Sequence, residues 1–231
     1  MPSRKSVFLI WVTLAAGCAA PSSTGSIDPA SASTEDLLEH ARAILRDTPL
    51  IDGHNDLPWQ YHKRVNNRLD QLDLADDLTA LDNPTHTDIP RLRAGGVGGQ
   101  FWSAYIPIAE HEQDRVETGL AAWRAANPPP DATLAQVVDH IDHIRDVAGI
   151  DHLGIGSDYD GMPPGPVGLE DVSCYPNLIV ELLRRGYRDD EIRKIIGRNV
   201  LRVMRKAERV SARLRRSRPP SDVTREELDG Q

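Results

Sequence analysis

The chain has 231 residues, 39% of them hydrophobic and 27% charged, which is enough apolar content for one packed domain of ordinary size with tails. A net charge of -8 argues against general nucleic-acid binding. The charge is unevenly spread: Arg184 to Arg218 carries 14 Lys and Arg against four Asp and Glu, leaving the rest of the chain strongly acidic. A basic run of this kind reads as a solvated helix face or as a contact with an anionic membrane surface.

Residues 1–18 have the layout of an export signal. Arg4 and Lys5 form the positive end, Val7 to Leu14 the apolar middle, and Ala15, Ala16 and Gly17 precede Cys18. The apolar run is too short to span a bilayer. Small residues directly before a cysteine resemble the bacterial lipoprotein signal, which implies lipid attachment at Cys18 and a place in the cell envelope, although Leu14 and Ala15 sit one position away from the usual order. Ordinary secretion is the alternative. With Cys18 lipidated, Cys174 has no partner and no disulfide framework exists. Residues 19–34, rich in Ser, Ala and Pro, read as a flexible tether. The folded body is expected over 35–208, opening with a helix capped by Ser33 or Thr34 that places Leu37, Leu38, Ala41, Ile44 and Leu45 on one face.

The stretch Pro49 to Pro58 reads as a buried parallel strand that ends in a turn. Leu50 and Ile51 are apolar, Gly53 permits close packing, and Pro58 stops the extended run. His54 and Asp56, two apart, leave one face of an extended backbone, and an imidazole and a carboxylate are two of the groups that zinc accepts. Alone, His-x-Asp is a weak signal. Its bland reading is a turn in which Asp56 caps the backbone and His54 is exposed. A loop and a weak acidic helix are expected over 66–81. Val97 to Ile106 then reads as a second buried strand whose glycines allow close approach. No helix start follows the glycines, so a phosphate loop is rejected.

Two blocks, Asp52 to Gln60 and Ile89 to Ser103, closely resemble the membrane (renal) dipeptidase family in order and spacing. The resemblance implies a zinc-dependent amidohydrolase relative on a (β/α)8 barrel that cleaves dipeptides through a hydroxide shared by two zinc ions. It makes His54 and Asp56 metal ligands.

Glu110 to Asn127 reads as a helix ended by Pro128, Pro129 and Pro130. Thr133 caps the next one, with a stripe of Leu134, Val137, Val138, Ile141 and Ile144. His140 and His143 lie three apart on it, and no third ligand follows at a useful spacing, so both read as non-ligands. His152 to Asp158 reads as the last strand, with an Asp at its carboxyl end, where barrels build their sites. Ser157 to Gly161 resembles the family's last-strand motif, which carries the role of proton shuttle onto Asp158, with Asp160 a weaker candidate pointing the same way. Met162 to Pro166 reads as a rigid loop over the mouth. Tyr175 onward is a helix stopped at Gly186. A last helix opens at Asp189 and Asp190 and buries Ile192, Ile195, Ile196, Val200, Val203 and Met204. Residues 209–231 form a basic and then polar tail.

The family's middle is absent. A full barrel takes about 250 residues, and roughly 170 stand here between tether and tail. The seam falls near 117–121, so the expected fold is an incomplete α/β barrel with its outer segments joined directly. The resemblance places in the missing stretch the bridging Glu, two His ligands, and the His and Arg that hold substrate. Glu110, His111, Glu112 and Glu117 do not replace them, and no residue is assigned to substrate binding. At most a partial zinc site is expected, where zinc sites use at least three protein ligands. Strand edges left open would close on each other or on a second chain, as in a homodimer. Three readings follow: an envelope dipeptidase of this family, a non-catalytic lipoprotein that binds a partner or membrane, and a chain that does not fold stably.

Overall fold

The computed structural model describes residues 27–103, 131–162 and 165–219. The signal, Cys18, the first part of the tether, the helix at 110–127, the seam at 117–121, Ala104 to Ile106 and the end of the tail lie outside the described residues.

From Ile27 the chain is already held. Asp28 accepts hydrogen bonds from the Ala30 backbone and the Ser31 hydroxyl, and Ile27 and Ala32 pack against the core. Helix α1 (Thr34–Asp47) starts on a capping box: the Ser33 hydroxyl accepts from the Asp36 N–H, and Asp36 accepts in return from the Ser33 N–H. Leu37, Ala41, Ile44 and Leu45 recur at helical spacing and are fully or nearly fully buried. They face Leu178, Ile179, Leu182 and Leu183 of the later helix Tyr175–Arg184. Each large side chain buried there contributes about 1.5–3 kcal/mol.

Strand β1 (Leu50–Asn55) follows α1 directly and pairs in parallel with β2 (Val97–Trp102), with Leu50 opposite Val97 and Asp52 opposite Gln100. Between them lie α2 (Leu57–Val65) and α3 (Ile89–Ala94). Helix α2 was not expected: Pro58 does end the strand, but it sits in the first helical turn, where its missing N–H costs nothing. On the other side of β1 runs the segment 153–159. Isolated parallel bridges join Asp52 to Ile155 and Asn55 to Tyr159, and Gly53 N–H donates to the Ile155 carbonyl at 2.8 Å. β1 is therefore central, with a piece from each half of the chain beside it. The expected last strand at 152–158 is reduced to these bridges, because Ile150–His152 forms a 3-10 turn and Asp158 has a positive φ.

Helix α4 (Leu134–Ala148) has a second capping box, Thr133 with Gln136. Only Val138 and Ile141 of its expected stripe are buried, and Ile144 is exposed. Helix α5 is Tyr175–Arg184, and Gly186 follows with φ +82°. Helix α6 (Asp189–Arg193) passes through a π turn (Lys194–Arg198) into α7 (Asn199–Ser217). Ile192, Ile195 and Ile196 are buried as expected, whereas Val203 is 55% exposed, because little of the described chain faces α7 beyond its first turn. Asn199 anchors that turn by donating to the carbonyls of Ile150 and Leu153. The architecture is mixed α/β, and no closed barrel forms among the described residues.

Candidate metal centre

The site forms where β1 ends. His54 is carried by the strand, but Asp56 is not: the strand stops at Asn55, and Asp56 is the N-cap of α2 at φ -99°. Strand alternation therefore does not bring the two together; the strand-to-helix turn does. An N-cap Asp ordinarily accepts a backbone N–H of its helix. Asp56 makes no such bond, and the Asn55 side-chain oxygen takes the Leu57 N–H instead, at 2.9 Å. The Asp56 carboxylate is thereby free to turn toward His54, with Oδ1 3.7 Å from Nε2.

Asp158 arrives from the other half of the chain. Its N–H donates to the His54 carbonyl, and its Oδ1 lies 3.1 Å from His54 Nε2. Asp158 has φ +60° and Asp160 φ +68°, a left-handed conformation that Asp tolerates better than most residues and that stores strain of the kind found at functional sites. These two residues break the extended alternation, so Asp160 does not point with Asp158, contrary to expectation. Asp160 is buried; its Oδ1 accepts the His86 N–H at 2.7 Å while its own N–H donates to His86 Nδ1. Burial pushes the Asp160 carboxyl up and holds the His86 imidazole below its usual range, so His86 is neutral, with its proton on Nε2.

One donor atom from each of His54, Asp56 and Asp158 lies within 4.8 Å of the other two. Asp56 Oδ1 is buried without a hydrogen-bond partner among the described residues, a costly state that a cation would relieve. Gly161 keeps the space open: a Cβ there would strike the Asp56 carboxylate and stand 3.0 Å from Asp158 Oδ1. One imidazole and two carboxylates are a donor set that zinc accepts, and three protein ligands with open positions is the count of a catalytic site. The residues present fit a single divalent ion. Asp158, expected from the sequence as the proton shuttle, stands within reach of the same ion as the two expected donors. His140 and His143 are exposed on α4, and neither belongs to a metal-holding group among the described residues.

Sequence reasoning missed the residue that ties the site together. Asp52 is fully buried and accepts four hydrogen bonds: from His54 N–H (3.0 Å), Ser157 N–H (3.0 Å), the Ser157 hydroxyl (2.6 Å) and the Tyr175 hydroxyl (2.8 Å). It fixes β1, the 157–161 turn and the start of α5 to one another. Burial, and the Asp52 charge after it, push the Tyr175 hydroxyl far up, so it stays a donor. Position 52 shares the alternation of Leu50, which is the signal that could have marked it as buried.

The profile of the membrane dipeptidase family (peptidase family M19) matches residues 38–127 and 123–218, in two separate pieces. Dipeptidase tcpJ of Claviceps purpurea is 49% identical over 112 residues, which cover 46% of this chain and 26% of that protein. Dipeptidase ataJ of Aspergillus terreus is 53% identical over 81 residues, covering 35% of this chain and 20% of that one. Among solved structures, the probable dipeptidase PvdM from Pseudomonas aeruginosa is 40% identical with a TM-score of 0.35, over 39% of this chain and 22% of its own. A metallo peptidase from Rhodobacter sphaeroides, liganded with a phosphinate mimic of the dipeptide L-Ala-D-Ala, is 36% identical with a TM-score of 0.29, over 30% and 19%. The chain thus spans about a quarter or less of the length of the curated relatives it matches. Since the two profile matches together run through most of the sequence, the chain belongs to the membrane dipeptidase family, peptidase family M19.

Proposed function

We propose that the end of β1 holds one zinc ion through His54, Asp56 and Asp158 and that this centre hydrolyses dipeptides. The observation that carries the reading is the convergence of three donor atoms around a buried, unpartnered Asp56 oxygen. Zinc, when bound, supplies Lewis-acid polarisation of the peptide carbonyl. This chain's residues would supply the rest. His54 and Asp56 would hold the ion, and the half-exposed Asp158, bound through one carboxylate oxygen, would use the other to take a proton from the water that adds to the carbonyl carbon and deliver it to the amine nitrogen as the C–N bond breaks. Fewer donors than the family's two-ion site make turnover slow. The fold is read as the first and last units of a (β/α)8 barrel joined directly, with β1 in the middle, and the chain as an exported envelope protein anchored through Cys18 and able to pair as a homodimer.

Zinc content of the purified chain and hydrolysis of a dipeptide such as L-Ala-D-Ala test the proposal together. One zinc per chain, lost in His54→Ala, with hydrolysis that follows zinc loading, is expected. A chain that folds cooperatively but takes up no zinc overturns it. That outcome favours the second reading, a non-catalytic lipoprotein, which the exposed basic face of α7 supports.

A further inference from the structure

The last helix is long, basic and barely covered. Among the 19 residues of α7, only Asn199 is buried. At 1.5 Å per residue the helix reaches about 28 Å. Its apolar residues recur at helical spacing, Val203 and Met204, Ala207, Val210 and Leu214, and form one stripe. Arg205, Lys206, Arg209, Arg213 and Arg216 are all exposed; Arg205, Arg209 and Arg216 lie on the opposite side, and Lys206 and Arg213 flank the stripe. None of the five forms an ion pair among the described residues, although Arg185, Arg193 and Arg198 just before them do. Glu208 is the one acidic residue in the helix.

Neither half of this pattern has a use within the described fold. The stripe does not join the core, and Val203 stands 55% exposed at its start. The cations repel one another at a cost that an anionic partner would remove. A straight helix with an apolar stripe, a cationic polar face and low overall hydropathy is the pattern of a helix lying in the plane of a lipid interface. There the stripe enters the acyl boundary, and the long Arg and Lys side chains reach up to the headgroup phosphates.

We propose that α7 is an interfacial helix that binds the surface of an anionic lipid bilayer. The charge imbalance of the molecule adds direction. With a net charge of -8 and a basic last third, the acidic body is turned away from such a surface and α7 toward it. The assignment is independent of the metal centre.

The test uses the full chain carrying Cys18→Ser, so that no acyl anchor contributes, and vesicles of phosphatidylethanolamine with phosphatidylglycerol or of phosphatidylcholine alone. Flotation should show at least about tenfold tighter binding to the anionic vesicles, falling as salt is raised. The quadruple variant R205Q/K206Q/R209Q/R213Q should lose at least about tenfold of that binding while its unfolding transition is unchanged. Val203→Ser with Val210→Ser should weaken it as well, and Glu208→Gln should not. Equal binding to both vesicle types, full binding by the quadruple variant, or no binding to either overturns the proposal. So does salt-sensitive capture by a soluble polyanion such as heparin without vesicle binding.

Discussion

Replacing Asp52 by Ala leaves the donors of three structural elements facing a void. The Ser157 hydroxyl keeps an alternative acceptor, the His54 carbonyl at 3.1 Å, but the His54 N–H, the Ser157 N–H and the buried Tyr175 hydroxyl do not. At about 1–3 kcal/mol for each of the three stranded donors, the loss comes to roughly 3–9 kcal/mol, a large share of the roughly 5–15 kcal/mol that holds an ordinary domain together. Asp52→Asn is far milder. Its amide nitrogen can replace Oδ2 and donate to the two hydroxyl oxygens, Ser157 turns its O–H to the His54 carbonyl, and the amide oxygen still serves the two backbone N–H groups; only the Tyr175 O–H loses its acceptor, so about 1–3 kcal/mol is expected. Urea unfolding followed by circular dichroism measures both variants, and competition with a chromophoric chelator measures zinc affinity. Zinc affinity should fall with stability in the Ala variant, because the turn bearing Asp158 is released from β1. An Ala variant within about 1 kcal/mol of the parent, binding zinc as tightly, would falsify the claim that Asp52 holds the two halves in register.

Gly161→Ala should lower zinc affinity at least about tenfold with a much smaller effect on folding, since the added methyl meets the Asp56 and Asp158 carboxylates rather than the core; chelator competition reads the first and urea unfolding the second. Ile179→Ala, at a fully buried position between α1 and α5, should cost about 2–5 kcal/mol in the same unfolding assay, and a value under 1 would mean that the two helices do not pack as described. Burial pushes the Asp171 carboxyl up, but hydrogen bonds from Ser173 and Arg91 outweigh it and leave the group below its usual range. A depressed carboxyl contributes stability above its unfolded value of 3.8 and loses it as the pH falls through the folded one. The parent should therefore lose stability below about pH 4 more steeply than Asp171→Asn, and parallel curves would remove Asp171 from the account.

Much of the N-terminal half was legible because its determinants are local. Ser33 with Asp36 marks the start of α1, the spacing of Leu37, Ala41 and Ile44 marks its buried face, and a short apolar run before His54 marks β1. What failed was non-local. Ile144 and Val203 have correct helical spacing for a buried face, yet periodicity reports only which side is apolar and not whether another element stands against it. The last strand is shorter than its residues suggest because Ile150–His152 forms a 3-10 turn and the positive φ values of Asp158 and Asp160 bend the chain, turning Asp160 into the His86 pair. His54 and Asp56 do come together, but not through strand alternation, since an unforeseen helix start places Asp56. Asp52 stayed hidden because its burial depends on Ser157 and Tyr175, more than 100 positions away.

The central position of β1 has a kinetic consequence. Asp52 and Ser157 are 105 residues apart, so their contact closes a loop nearly half the length of the chain, while α1, α2 and α5 can each begin to form from neighbouring residues. Because closure entropy grows only logarithmically, lengthening or shortening the connection between the halves changes the cost of that contact little. A divalent ion held by His54 and Asp158 would act as a reversible cross-link across this loop, so its capture should slow unfolding more than it speeds folding.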